Sequence, residues 1–420
     1  MRERRDAMLQ RFSRPLRNFV LVGLLILGLS ALILGVHFWN REPPVILPDG
    51  REAIEARRNT PSNAYCLLVQ ADELLPPKSL RNALDPYDVP KEEGFEEGSV
   101  GRLIGVLRPD SASKVLDYVA ACVPAADKAR AALDKPYFLY RQPSTYLARK
   151  AMSFDRLGRC VVAVGASAGC TQGRVEEGGS RLIDALRLGR LIAAEPTQYP
   201  PDAWFVTHAL HQVRRLAHRI GDAAALERLD IAVAEIGCPF PSARDLLRAA
   251  WRRIDSTMTV PLPEVYPSFR WRMRTLLYLW RLEENARKIA ENKETYLELV
   301  ERPLETIEAE MRARGRHASR RLQHIAPLEL VHSAAELSRR IEADYNATRI
   351  TIALERFRCG RGRYPDTLDA LTPDFLLPLP DDPRAEREPG RAPGAATQRP
   401  FCYRRAGGAY ALYGVGENGQ

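Results

Sequence analysis

The sequence predicts a mainly α protein, built of helical hairpins in solenoid-like succession, with a small carboxy-terminal α+β module and one amino-terminal transmembrane helix. Three observations predict it. An uninterrupted apolar run occupies residues 19–39, helical periodicity dominates residues 111–359, and a glycine-centred hairpin pattern follows in the last twenty residues. With 420 residues, 45% of them hydrophobic and 27% charged, the chain is long enough to bury substantial cores, and a disordered tail or a disulfide-stapled mini-domain is excluded.

Residues 19–39, FVLVGLLILGLSALILGVHFW, carry no acidic residue, lysine or arginine. At ~1.5 Å per residue they reach ~31 Å, enough for a hydrocarbon core of about 30 Å. The run exceeds the usual signal-peptide core and ends in His37, Phe38, Trp39 and Asn40 without a small-residue cleavage site, so the reading is an uncleaved anchor. Six arginines lie within residues 1–17, whereas only Arg41 follows the span before Glu42 and Asp49. The basic segment 1–18 is therefore expected in the cytoplasm and everything after the span outside it, which in a double-membraned bacterium places the bulk of the chain in the periplasm, anchored to the inner membrane.

That basic segment, offset only by Glu3 and Asp6, supplies four of the nine net positive charges. The remainder is mildly basic, with arginines spread over helical faces, and reads as a solvated surface with no nucleic-acid partner. The membrane is itself a partner, through the anchor and through anionic head groups facing the arginines. Residues 41–61 form a linker that begins with the Pro-rich REPPVILPDG.

A helix is predicted over 62–75, where Ser62 and Asn63 can cap AYCLLVQADELL and Pro76–Pro77 end it. Residues 76–110 read as a long loop with one short strand at Leu103–Leu107. Helical periodicity then predicts 111–133, 144–167, 178–194, 201–219, 222–236, 242–257, 268–300, 303–314 and 326–359, punctuated by Pro196, Pro200, Gly221, Pro239 and Pro261. Short loops between such helices suit a solenoid of the tetratricopeptide type, although no clean self-match appears at the ~34-residue period. The exported helical domain is read as 62–340 and the terminal module as 341–420.

His208, His211 and His218 fall on one face of the 201–219 helix, a face on which an exported hydrolase could hold a metal ion. No HExxH accompanies them, and no metal ligand set is assigned. The seven cysteines include no CxxC pair, which removes zinc-ribbon and thioredoxin-like motifs. The glycine-rich stretch from Cys160 to Cys170 lacks the lysine and Ser/Thr of a phosphate-binding loop. No catalytic residue and no cofactor follow from these patterns.

In the terminal region, Gly360 and Gly362 can end a helix, Pro365 cannot extend it, and FCYRRAGGAYALYGV reads as two strands about Ala-Gly-Gly. A helix laid on that hairpin would bury Ile350, Leu354 and Phe357 against Tyr403 and Tyr413. The order of Ala353, Leu354, Phe357 and Arg358, then Gly362, Tyr364 and Pro365, then Leu368 and Leu371, then Leu379, Pro380, Asp382 and Pro383, and lastly Tyr403, Tyr410, Leu412, Tyr413, Val415 and Gly416 resembles the carboxy-terminal module of the type II secretion major pseudopilin (G-type) family.

The resemblance implies a long helix over a small antiparallel sheet, and it brings Cys359 and Cys402 together as a disulfide pair. The chain departs from that family in lacking its amino-terminal Gly-Phe-Thr-Leu-Ile-Glu motif, in the enlarged loop 384–400, and in the acidic residues of its calcium site, so no calcium is implied. Anchor, helical middle and pseudopilin-like end together are similar to a family of bacterial envelope proteins. The function expected is a membrane-anchored scaffold that binds a protein partner in the envelope, with an accessory role in a type II secretion or pilus-like system as the alternative.

Overall fold

The computed structural model describes residues 57, 60–77, 109–138, 154–193, 204–258, 286–313, 327–384 and 400–414. The apolar run 19–39, most of the linker 41–61, the strand at 103–107, residues 268–285 of one expected helix, nearly all of the loop 384–400, and Gly416 lie outside them. Among the described residues no helix is long and apolar enough to cross a membrane.

The described part is mostly helical with one small sheet near the carboxy terminus. Helix α1 spans Tyr65–Glu73, where the Asn63 side chain accepts the Tyr65 amide at 3.1 Å. Helix α2, Pro109–Leu133, opens on a proline whose missing N–H costs nothing in the first turn, and it carries Pro124 internally. Helix α3, Asp155–Ala166, widens into a π turn over Ser167–Thr171 before α4, Val175–Ala193. Then come α5, Trp204–Ala217; α6, Ala223–Ile236; α7, Ala243–Met258; α8, Lys293–Leu299; α9, Leu304–Ala313; and α10, Pro327–Arg361. Asp222 caps α6 by accepting the Ala224 and Ala225 amides at 3.2 and 3.0 Å, and Gly237, at φ 69°, ends it.

Helices α1 to α5 pack each on the next in chain order. Glycines make the central crossings close. A Cβ on Gly178 of α4 would lie 2.4 Å from the Gly169 backbone, one on Gly158 of α3 would lie 2.3 Å from the Phe205 ring, and one on Gly189 would lie 2.4 Å from Val206. The glycine-rich stretch between Cys160 and Cys170 is thus helix and π turn pressed on α4 and α5.

Helix α10 breaks the nearest-neighbour order. It runs ~52 Å and packs against α5, α6, α7, α8 and α9 in turn. Ile341, Tyr345 and Ile352 belong to the large core shared with Leu186, Leu210, Val233 and Trp251, whereas Ile350, Ala353 and Leu354 belong to a second core with Leu368, Leu371, Leu376 and Phe401. Ile341 and Ile350 are about 180° apart at ~100° per residue, so the two cores lie on opposite faces of one helix. The helix passes unbroken through residue 341, and the helical domain and the terminal module therefore share it.

After α10, Gly362 at φ 75° donates its amide to the Arg358 carbonyl and reverses the chain. A 3₁₀ turn over Leu368–Leu371 follows, then strands β1, Cys402–Ala406, and β2, Ala409–Tyr413, paired antiparallel about Gly407–Gly408. Tyr403 and Arg405 face Leu412 and Tyr410 across the hairpin, and Tyr403, Tyr410 and Leu412 pack on the second core. The expected contact of Tyr413 is corrected. Strand alternation turns Tyr410 and Leu412 inward, so Tyr413 points out and is 54% exposed.

Candidate functional site

The most concentrated polar chemistry lies where α5, α10 and the hairpin meet. Glu355 lies at the end of the buried stretch 350–355 of α10 and is fully buried. A carboxylate at such a position requires donors, and three converge on it. The His218 Nδ1 lies 2.7 Å from Oε1, the Tyr364 hydroxyl donates to Oε1 at 2.8 Å, and the Arg358 Nε donates to Oε2 at 2.7 Å. Local structure explains each. His218 follows the last residue of α5, Arg358 is one turn along from Glu355, and the reversal at Gly362 folds Tyr364 back over the helix end.

Burial by itself would raise the Glu355 pKa, but the hydrogen bonds from His218, Tyr364 and Arg358 outweigh it and hold the carboxyl below its ordinary value. The group is ionised at neutral pH and only accepts, which assigns the Nδ1 proton to His218. Burial and the same carboxylate push the Tyr364 hydroxyl up, and burial pushes up Tyr410, so both phenols stay neutral. Tyr410 of β2 lies at the centre of the aromatic cluster, its ring centroid 4.8 Å from Tyr364, 5.8 Å from His218 and 6.0 Å from Tyr403. The Tyr403 hydroxyl donates to the Pro365 carbonyl at 2.7 Å, and Arg405 reaches the Tyr364 carbonyl and Asp366.

A second set of ion pairs holds the other flank of α10. Arg356 pairs with Asp230 of α6 at 2.7 Å and with Glu227 at 3.4 Å, and donates to the Phe375 carbonyl. Arg214 of α5 reaches the Asp344 side chain and carbonyl at 3.3 and 3.1 Å. Burial raises Asp230 despite the opposing pull of Arg349 and Arg356. Chemically these sites fasten helices. Glu355 has both oxygens occupied and no exposed atom, so it is placed to fasten the end of α10 and the turn carrying Tyr364 to the end of α5.

The three histidines do not converge on a metal site. His218 turns to Glu355, and among the described residues no group of three or more His, Cys, Asp or Glu side chains is gathered as a metal ion would require. Gly165-Ala-Ser-Ala-Gly169 has the G-x-S-x-G spacing of a serine nucleophile, but Ser167 is buried where α3 becomes the π turn, not on a strand-to-helix elbow, and lies 3.5 Å from Gln172 Nε2.

Of the terminal residues singled out from sequence, Leu354, Tyr364, Leu368 and Leu371 are buried in the second core, and Phe357 is half-buried with its ring 5.4 Å from Phe375. Pro365 supplies the carbonyl for Tyr403. Asp382 is buried, accepts the Arg384 amide at 2.9 Å and abuts Gly414, while its neighbours Pro380 and Pro383 are half-buried. All seven cysteines are free thiols in the structure, and Cys359 and Cys402 are not joined there. Cys359 packs toward the large core with Sγ 3.9 Å from the Ile220 carbonyl, whereas the hairpin carrying Cys402 packs on the second core.

Glu355 was not among the sequence candidates, although an acidic residue inside ITIALERF, three residues before an arginine, was a usable signal. Its partner His218 lies 137 residues away and could not be paired from sequence. No protein-family model, curated protein or solved structure matches the chain.

Proposed function

We propose that the chain is a single-pass protein of a bacterial inner membrane whose exported helical body is a protein-binding scaffold. One observation carries this reading, the charge-free apolar run 19–39 behind six arginines, which has the length and flanks of an anchor with a cytoplasmic amino terminus. The polar centre at Glu355 is compatible with a scaffold, because its donors are spent on holding elements together.

An accessory role in a type II secretion or pilus-like assembly is the second reading, favoured by the order of the residues from Ala353 to Tyr413. A reporter active only outside the cytoplasm, fused after Gly50, should be active, and the full chain should stay with membranes in high salt. Release of a soluble form shortened by about forty residues would replace the anchor with a cleaved signal. Cross-linking in intact cells then separates the two readings by whether secretion components are captured.

A further inference from the structure

Cys122 of α2 and Cys160 of α3 are both buried, on two helices packed directly against each other. The Tyr118 hydroxyl lies 3.6 Å from the Cys160 Sγ, and Tyr118 and Cys122, one helical turn apart, share a face of α2. Both are free thiols in the structure, and the Cys160 Sγ thus lies against the face of α2 that carries Cys122. No second pair of this kind is seen among the described cysteines. Cys66 is exposed on α1, Cys170 is buried in the π turn with its carbonyl accepting from Arg219, Cys238 and Cys402 are half-buried, and Cys359 is directed at the Ile220 carbonyl.

We propose that Cys122 and Cys160 are a modification site, oxidised to a disulfide that staples α2 to α3 when the chain folds in an oxidising compartment. The proposal rests on the export reading above. The chemistry is exchange with a protein or small-molecule disulfide. One cysteine thiolate attacks a sulfur of the incoming disulfide and releases the first thiol. The second cysteine attacks the resulting mixed disulfide and releases the other, and the two cysteine protons end on the two departing sulfurs. The neighbouring Cys160 thiol and burial disfavour the Cys122 thiolate in the folded state, which places the exchange before α2 and α3 dock and leaves the finished bond protected from reduction.

The test uses the full chain, prepared exported and, separately, purified reduced from a cytoplasmic preparation and refolded in detergent with a glutathione redox buffer. Free thiols are alkylated in denaturant and peptides are mapped without reduction. A peptide joining Cys122 to Cys160, lighter by two hydrogens than the separate peptides, is expected in both samples. Cys122→Ser should leave Cys160 fully alkylated with no new pairing. The link in the refolded chain alone would support the pairing and remove the export reading. Complete alkylation of both cysteines in both samples, or a link from either one to another cysteine, would overturn the proposal wherever the protein resides.

Discussion

Replacing Glu355 by glutamine tests the polar centre with the least change of shape. The substitution removes the charge that three donors share, and the amide nitrogen of glutamine must face a donor, His218 and Tyr364 on one side or Arg358 on the other. Removing one partner of a buried ion pair costs about 3–5 kcal/mol, and a hydrogen bond to a charged group is worth about 1.5–3 kcal/mol. His218 and Arg358 are 46% and 35% exposed and can turn to water, whereas the Tyr364 hydroxyl is buried and cannot. The expected loss is therefore about 2–4 kcal/mol at neutral pH.

Urea unfolding of the full chain in mild detergent, followed by far-ultraviolet circular dichroism for the helices and near-ultraviolet signal for the tyrosine cluster, measures it. The pH dependence gives a second readout with a fixed sign. The native pKa of Glu355 is depressed below its unfolded value of 4.5, so its contribution is present above that value and is lost as pH falls through the lower native value. The gap between wild type and Glu355→Gln should close in acid. A gap under about 0.5 kcal/mol at neutral pH, or one that persists unchanged to low pH, would refute a charged carboxylate as the fastening group.

Two further perturbations probe the packing on which this site depends. Gly178→Ala drives a methyl into the Gly169 backbone, which cannot swing aside, and should cost about 3 kcal/mol, while Gly221→Ala meets nothing within 4 Å and should be neutral or stabilise by about 0.4–1 kcal/mol; comparable melting temperatures for the two variants would deny the close α3–α4 crossing. Phe357→Ala removes a half-buried ring, so about 2 kcal/mol is expected in place of the 3–5 of a fully buried one; limited proteolysis should show residues 340–414 cut faster than in wild type, and equal resistance would place Phe357 outside the second core.

The helices were legible in the sequence because local signals specify them. Asp222 ahead of an apolar-periodic run marks the start of α6, Gly237 its end, and Gly362 with Pro365 the end of α10, since caps and glycine conformations act within a few residues. The hairpin about Gly407–Gly408 was legible for the same reason. Its facing was not, because alternation places either Tyr410 or Tyr413 inward, and only the contact with α10 chooses Tyr410. Likewise His218 looked like a metal ligand on its own helix until α10 brought Glu355 beside it, and the glycines from Gly158 to Gly189 had no local reason to be small. The sequence by itself determined that most of these segments are helical and where the apolar run 19–39 lies, but not the break at Asn292 inside the helix expected over 268–300. Tertiary packing alone decided that α10 would serve two cores and that a buried carboxylate would be stable there, because the energy of a buried charge depends on donors that arrive from distant parts of the chain.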